Sequence, residues 1–235
     1  MEAWYREAKA RCGDSRRAAV ILGQLLATSV VHLWLVPVLA ENRLPLADFE
    51  ASAFHVHDDG WIDAVAVDTA RMAVLPHDPA TGEPGVTVIE TRDDLLSLAV
   101  EQLLAIERSF ECIRSVCRIG RPFLWGSLLD TIGAQALAIA RMTGSDRWRA
   151  WREAEDIMER VRVACPGLNA RPRPFAVSWI RGEELFLVRG TCCLHYRTVQ
   201  GAEPNGHGYC NGCPLRTDES RASNFIAYLE RTNGD

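Results

Sequence analysis

The stretch Thr191–Arg216, TCCLHYRTVQGAEPNGHGYCNGCPLR, decides how the rest of the chain is interpreted. It holds four of the eight cysteines: the adjacent pair Cys192 and Cys193 and, after a spacer of sixteen residues, the Cys-x-x-Cys pair Cys210 and Cys213. A disulfide framework, a zinc site, a thiol redox centre and an iron–sulfur site all use cysteines at short spacings. The rest of the sequence has to distinguish between them.

The composition is that of an ordinary globular protein. The chain has 235 residues, of which 48% are hydrophobic and 24% charged, so it can bury a hydrophobic core without needing disulfide bonds. Its formal net charge of -5 argues against broad nucleic-acid binding, which usually needs a basic surface. Small ligands or protein partners are the expected alternatives.

One segment, Ala18–Ala40, contains no Asp, Glu, Lys or Arg over a length that could cross a bilayer. Arg16 and Arg17 precede it, as in a twin-arginine export signal, so a signal or membrane segment is one interpretation. Acidic residues before the segment, and the polar or helix-breaking Gln24, His32 and Pro37 within it, favour a buried helix. We expect such a helix, bent or ended by Pro37.

Hydrophobic periodicity and turn residues predict an α+β protein that is mostly helical. The predicted helices are Glu2–Cys12, about Arg16–Glu41, Thr91 to about Cys117, about Phe123–Met142, a helix opened by Ser145 and Asp146, and Asp218–Leu229. Two small antiparallel units are predicted, Ala53–His57 with Trp61–Val67 and Phe175–Ile180 with Glu184–Val188, whereas Leu75–Val86 is predicted to be a loop. This gives a helical body over residues 1–188 and a C-terminal cysteine-rich hook over residues 189–235, packed on the body.

The four cysteine chemistries are not equally compatible with this pattern. Disulfides suit small chains in oxidising compartments, and a thioredoxin-type motif opens a helix, whereas Cys210 follows a Gly-rich loop and Cys213 precedes a proline. Zinc knuckles place two to four residues between paired cysteines, but Cys192 and Cys193 have none between them. A core with two irons tolerates diverging thiolates better, so the residues favour an iron–sulfur site and leave zinc open.

The cysteine segment resembles the C-terminal [2Fe-2S] domain of the FhuF-like ferric iron reductases, also called siderophore-iron reductases. Their signature is Cys-Cys-x10-Cys-x2-Cys, and CCLHYR (192–197) and CNGCPLR (210–216) resemble its two halves. LWGS (124–127) is similar to a further element of the family. The resemblance implies four cluster ligands, which are Cys192, Cys193, Cys210 and Cys213. The longer spacer costs only about 0.4 kcal/mol of extra loop-closure free energy.

The resemblance also implies a function, namely one-electron reduction of siderophore-bound Fe(III) to Fe(II) through a [2Fe-2S] cluster in the cytoplasm. The body would bind the ferric siderophore, and a ferredoxin or flavin reductase would supply electrons, because the chain has no Gly-x-Gly-x-x-Gly or P-loop motif. Transient membrane association is compatible with this role. The alternatives are a zinc-stabilised binding protein without redox activity, and an iron–sulfur electron-transfer or iron-sensing protein.

Residues for substrate binding are less well indicated by the sequence. The arginines that could attract an anionic chelate or an acidic partner are Arg118, Arg121, Arg197 and Arg216. His55 and His57 share one face of a predicted strand, but a metal role would need a third ligand. His195 and His207 are expected at the surface or beside the cluster, since four thiolates already complete a [2Fe-2S] site.

Overall fold

The computed structural model of the protein describes residues 1–67, 71–198 and 208–233. Within these ranges the chain is mostly helical with small sheets, which confirms the predicted α+β class. The helices are α1 (Glu2–Cys12), α2 (Ser15–Val30), α3 (Val36–Glu41), α4 (Arg92–Leu104), α5 (Glu107–Val116), α6 (Arg121–Thr143), α7 (Arg147–Ala164) and α8 (Asp218–Asn233). The strands are β1 (Arg43–Pro45), β2 (Ala53–Val56), β3 (Ile62–Ala66), β4 (Met72–Val74), β5 (Val86–Val88), β6 (Arg173–Trp179) and β7 (Gly182–Val188).

The long apolar segment is helical from α2 to α3. Asp14 caps its first turn by accepting a hydrogen bond of 2.7 Å from the backbone N–H of Arg17. A π-helical turn, Val31–Leu35, joins α2 to α3, and the helix continues through Pro37 to Glu41 instead of ending there. Proline removes a backbone donor and crowds the preceding turn, and the wider π turn lies where that disturbance falls.

Two helical stretches are long and apolar enough to span a bilayer by length and composition. They are Ser15–Glu41 and Arg121–Thr143, and the most apolar window of each is mainly buried within the protein, 61% and 72% respectively. The core helix of a protein of this size passes the same test. Here the two stretches pack against each other, because α2 and α6 are neighbours.

The β2–β3 and β6–β7 hairpins are antiparallel, as predicted, with bounds that differ by a few residues at most. The predicted loop over 75–86 is also present, but the short strands on either side of it were missed. β4 pairs with β1 antiparallel and with β5 parallel, forming a three-stranded sheet. Strands of three residues carry too little alternation to be detected from sequence.

The helix predicted from Thr91 to about Cys117 is in fact two helices. Its N-cap is correct, since Thr91 Oγ1 accepts a hydrogen bond of 3.1 Å from the N–H of Asp94. The chain then turns at Ala105 and Ile106, whose N–H groups bond three residues back, to Gln102 and Leu103. This tighter turn changes the direction of the chain between α4 and α5, and Ile106 stays fully buried.

Most of the core lies between α2, α4, α5, α6 and α7. Trp151, Ile157 and Met158 of α7 are buried there, whereas Trp148 is 42% exposed. A second, smaller cluster joins β6 and β7 to α8. The division at residue 188 stays a prediction.

Candidate metal centre

The four cysteines predicted as ligands lie in two short segments that face each other. Cys192 and Cys193 follow β7, while Cys210 and Cys213 precede α8. The sulfurs of Cys193 and Cys210 are 3.8 Å apart. Cys213 interacts with the thiol of Cys192 closely enough to affect its pKa. The structure therefore brings Cys193 and Cys210 together across the two segments, and Cys213 lies near enough to act on the thiol of Cys192.

One face of α6 carries the segment that leads to the first two cysteines. Gly126 and Gly133 lie seven residues apart, so they share a face of the helix with Asp130 between them. A Cβ at Gly133 would come within 3.1 Å of the Leu187 side chain, and a Cβ at Gly126 would overlap the methyl group of Thr191. The two glycines let the backbone of α6 approach β7 and the residue that precedes Cys192.

Asp130 anchors this segment from the middle of α6. Its carboxylate accepts hydrogen bonds from the N–H of Gly190 at 2.6 Å, the hydroxyl of Thr191 at 2.7 Å and Nε of Arg189 at 3.1 Å. The side chain is only 3% exposed. Burial raises the pKa of Asp130 above its usual range, while Arg189, Thr191 and the Gly190 N–H oppose that shift. Three donors on one buried acid hold the chain entering Cys192 in one position.

Two further arginines bind the backbone of the cysteine segments from separate helices. Arg17 of α2 donates from Nη1 to the carbonyl oxygen of Cys193 at 2.6 Å. Arg221 of α8, which is 1% exposed, donates from Nη2 to the carbonyl oxygen of Cys213 at 2.8 Å. Burial lowers the pKa of both guanidinium groups, opposed by nearby acidic groups that include the thiols. Each half of the site is thus tied to a different helix of the protein.

Arg216 adds a local contact within the second half. Its Nε donates to the carbonyl oxygen of Cys210 at 3.3 Å. The N–H of Cys213 bonds to that same carbonyl at 3.0 Å, which closes the turn of the Cys-x-x-Cys motif. The N–H of Arg189 bonds to the carbonyl of Gly212 at 2.9 Å and joins this turn to the end of β7. Gly212 is needed at this contact because a Cβ there would lie 2.8 Å from the carbonyl oxygen of Leu187.

The thiols differ in their affinity for protons. The hydrogen bond from Cys210 lowers the pKa of Cys193 to about 5 against the effect of burial, with help from the His195 N–H, Arg189 and Arg17. That same hydrogen bond and burial raise the pKa of Cys210. Burial raises the pKa of Cys192, opposed by the N–H of Leu194, which points at its sulfur from 3.4 Å. The contact between the two sulfurs therefore shifts their pKa values in opposite directions.

Leu194 has φ of 58°, in the left-handed region that residues with a side chain rarely occupy. This conformation follows directly on the adjacent cysteines. It lies beside two N–H groups that point at sulfur, that of Leu194 toward Cys192 and that of His195 toward Cys193. Successive N–H groups directed to one side form the kind of concavity that holds anions, including iron–sulfur centres.

These residues can be tested against the two metal sites left open by the sequence. In residues 1–67, 71–198 and 208–233, no group of three or more His, Cys, Asp or Glu side chains is placed so that it could hold a metal ion. A structural zinc ion takes four such donors, whereas each iron of a [2Fe-2S] cluster takes two protein thiolates. Two sulfurs bound at about 2.3 Å to one tetrahedral ion lie about 3.8 Å apart. The Cys193–Cys210 spacing fits this value, as expected if these two thiolates share one metal ion.

The other candidate residues lie elsewhere or have different partners. His55 pairs with Asp63 at 2.6 Å, and the ring of His57 stacks on Trp61 at 4.5 Å. His195 starts a 3₁₀ turn, and His207 lies outside the described residues.

Three of the four candidate arginines have defined contacts. Arg121 pairs with Glu107, Arg197 pairs with Asp14 at 3.0 Å, and Arg216 binds the site backbone as described above. Arg118 is exposed.

The four remaining cysteines lie outside the paired site. Cys12 and Cys117 are buried, as expected for small apolar side chains, and Cys165 is half-buried. Cys112 is exposed. They provide internal controls for any chemistry assigned to the site.

Sequence reasoning missed Asp130, Arg17 and Arg221 as parts of the site. The sequence alone could have indicated Asp130, because it is the only charged residue between Arg121 and Arg141. A lone acid in a buried helix requires partners.

Comparison of this chain with family models, with curated proteins and with solved structures finds no match.

Proposed function

We propose that this protein is a ferric-siderophore reductase that carries a [2Fe-2S] cluster on Cys192, Cys193, Cys210 and Cys213. The observation that supports this most strongly is the pairing of cysteines across the two segments, with 3.8 Å between the sulfurs of Cys193 and Cys210. When bound, such a cluster supplies a one-electron donor and acceptor. The reaction proposed is reduction of chelated Fe(III) to Fe(II) in the cytoplasm.

The chain's own residues support the charge that such a centre brings. Four thiolates form a concentrated negative site, and the guanidinium groups of Arg17, Arg216 and Arg221 each donate to the carbonyl of one of these cysteines. Positive charge and N–H groups directed at sulfur favour a more negative, reduced centre over the oxidised one. The arrangement suits a site that accepts an electron and passes it on.

The chemistry of the substrate explains why one electron is enough. A siderophore holds Fe(III) through hard oxygen donors, whereas Fe(II) has lower charge and is held far more weakly by the same oxygens. One electron from an external donor, such as a ferredoxin or flavin reductase, ends on the iron of the chelate and releases Fe(II). No acid, base or nucleophile is needed for such a transfer.

Anaerobic purification followed by metal and sulfide analysis, absorption and EPR tests the proposal. We expect two irons and two acid-labile sulfides per chain and a rhombic EPR signal after one-electron reduction. Cys193→Ser should abolish or destabilise the cluster, whereas Cys165→Ser should leave iron content and spectrum unchanged. Zinc without sulfide would contradict the proposal and support a zinc-stabilised binding protein.

Activity is tested separately with the chemically reduced protein and ferric siderophores in the presence of a ferrous trap. Reduction should form one trapped Fe(II) per reduced protein. A loaded protein that yields no Fe(II) above the buffer control would instead be an electron-transfer or iron-sensing protein.

A further inference from the structure

We propose that a groove between α6, the β6–β7 hairpin and α8 binds an anionic ferric chelate whose iron is held by aromatic oxygen donors, catecholate or phenolate. We call it the arginine groove, and its walls carry Arg141, Arg147, Trp179, Arg181, Phe186 and Tyr228. The proposal deepens the proposed function and rests on it, because it names the substrate class of that same site. The groove encloses about 750 Å³, a volume suited to a small-molecule ligand.

The groove leads to the cysteine site. It adjoins a cavity of about 350 Å³ whose walls include Cys210 and Gly212, and the two share Arg141, Phe186 and Phe225. Asn211, the residue between Cys210 and Gly212, lines the groove itself. Cys210 is half-buried whereas Cys193 and Cys213 are buried. A chelate in the groove would therefore sit against the wall formed by the Cys-x-x-Cys turn, beside its more accessible sulfur.

The charge of the groove favours an anion. Arg141 and Arg147 both bind the buried carboxylate of Glu184, at 2.9 and 2.6 Å. Arg181 and Glu183 also line the groove, so three arginines face two carboxylates and the net charge of the lining is positive. Arg141 also donates to the carbonyl oxygen of Leu185 at 2.6 Å, which fixes its position. The guanidinium of Arg181 lies at an exposed turn, 5.7 Å from the centre of the Trp179 ring. The groove thus presents arginines held in place before a ligand arrives.

Its aromatic side chains favour a ligand with rings. The rings open to the groove are those of Tyr228, which is 41% exposed, and the half-buried Trp179. Beneath them Phe186 and Phe225 are buried and stack on each other at 3.9 Å, and Phe186 meets Tyr228 edge-on at 6.3 Å. Arg141 lies 5.3 Å from the centre of the Phe186 ring. Aromatic faces and planar guanidinium groups both stack on flat, electron-rich rings. An aliphatic, neutral hydroxamate chelate would use neither the charge nor these faces.

Binding can be measured without any redox step by replacing Fe(III) with Ga(III), which has no accessible divalent state. The probes are the trianionic gallium(III) complex of a hexadentate tris-catecholate and, for comparison, a neutral gallium(III) trihydroxamate, each titrated into the full-length protein by calorimetry. We expect the tris-catecholate to bind at least about tenfold more tightly than the trihydroxamate. Arg181→Ala should weaken its binding about tenfold, a loss of about 1.4 kcal/mol. Arg152→Ala is the matched control, since it removes an exposed arginine of α7 outside the groove.

The outcomes separate this proposal from the proposed function. The groove proposal would be contradicted if both gallium complexes bound with equal affinity. It would also be contradicted if Arg181→Ala and Arg152→Ala weakened tris-catecholate binding equally. Either result would count even in a protein that carries a cluster and reduces ferric chelates. Selective binding that Arg181→Ala weakens would support the groove even if no cluster is found. If Arg181→Ala slows electron transfer from an acidic ferredoxin but leaves the gallium tris-catecholate affinity unchanged, the groove receives the donor protein and our proposal is wrong.

Discussion

The guanidinium of Arg17 donates a hydrogen bond of 2.6 Å to the carbonyl oxygen of Cys193, although 176 positions separate the two residues. Arg17 belongs to the arginine pair that could be read from the sequence as part of an export signal. In the folded protein it lies at the start of α2, where Asp14 caps the helix. The first cysteine pair is therefore attached to the long apolar helical stretch Ser15–Glu41.

Arg17→Met should loosen this attachment. The substitution keeps an aliphatic stem but removes the donor to Cys193, and a hydrogen bond from a charged group contributes about 1.5 to 3 kcal/mol. We expect the free energy of unfolding, measured in urea, to fall by about 1 to 2 kcal/mol because Arg17 is only partly buried. Arg16→Met, at an exposed neighbour, should change it by less than about 0.5 kcal/mol. Equal losses for both variants would contradict the anchoring role.

Asp130→Ala should be the more damaging change. It leaves the half-buried guanidinium of Arg189 without its buried carboxylate partner, and the Gly190 N–H and Thr191 hydroxyl without an acceptor. Breaking one side of a buried ion pair costs about 3 to 5 kcal/mol. Urea unfolding should show a loss in that range, and hydrogen exchange at Gly190 should accelerate.

Asp156→Ala is the matched control for Asp130→Ala. It removes an exposed carboxylate that pairs with Arg160 at 3.2 Å, and such a pair contributes at most about 1 kcal/mol. If Gly190 exchanged equally fast in both variants, Asp130 would not be the anchor of the cysteine segment.

The sequence predicted those features that short-range rules control. The hairpin formed by Ala53–His57 and Trp61–Val67 and the helix start at Thr91 each involve residues only a few positions apart, and each was located correctly. Asp130 and Arg17 were not recognised, because their partners lie about 60 and 176 positions away and periodicity carries no information about such distances. Strand β1 was missed for the same reason, since its three residues form a strand only by pairing with β4.

The β2–β3 hairpin should carry a histidine whose pKa depends on one carboxylate. A hydrogen bond and the charge of Asp63 raise the pKa of His55, and the same contact lowers the pKa of Asp63. The pair therefore stabilises the hairpin fully at pH values between the ordinary Asp pKa of about 3.9 and the ordinary His pKa of about 6.5. Its contribution disappears as pH rises through the raised His55 value or falls through the lowered Asp63 value.

An NMR titration of the His55 ring checks this pair. Asp63→Asn should return the midpoint to the ordinary histidine range. Asp59→Asn, in the same hairpin but paired with His57 at 3.4 Å, should leave the His55 midpoint where it was. An unchanged midpoint in Asp63→Asn would show that the ion pair does not form in solution.

Gly126→Ala tests whether the close approach of α6 positions the first cysteine pair. In an open helix the change would stabilise by up to about 1 kcal/mol, because glycine is a poor helix former. Here the new methyl group would overlap Cγ2 of Thr191, one residue before Cys192, and come within 3.1 Å of Cβ of Ala170. Overpacking of this kind costs about 1 to 3 kcal/mol, so the free energy of unfolding should fall. The displaced segment should also hold iron less well on reconstitution.

Thr191→Ser provides the compensating change. It removes Cγ2 and keeps the hydroxyl that donates to Asp130 at 2.7 Å, so the double variant should regain part of the stability and iron content lost in Gly126→Ala. In a double-mutant cycle measured by urea unfolding, residues in contact show coupling energies of about 0.5 to 3 kcal/mol. Additive effects of the two substitutions would mean that position 126 of α6 does not contact Thr191. The cysteine pair would then be positioned by Asp130 and Arg17 alone.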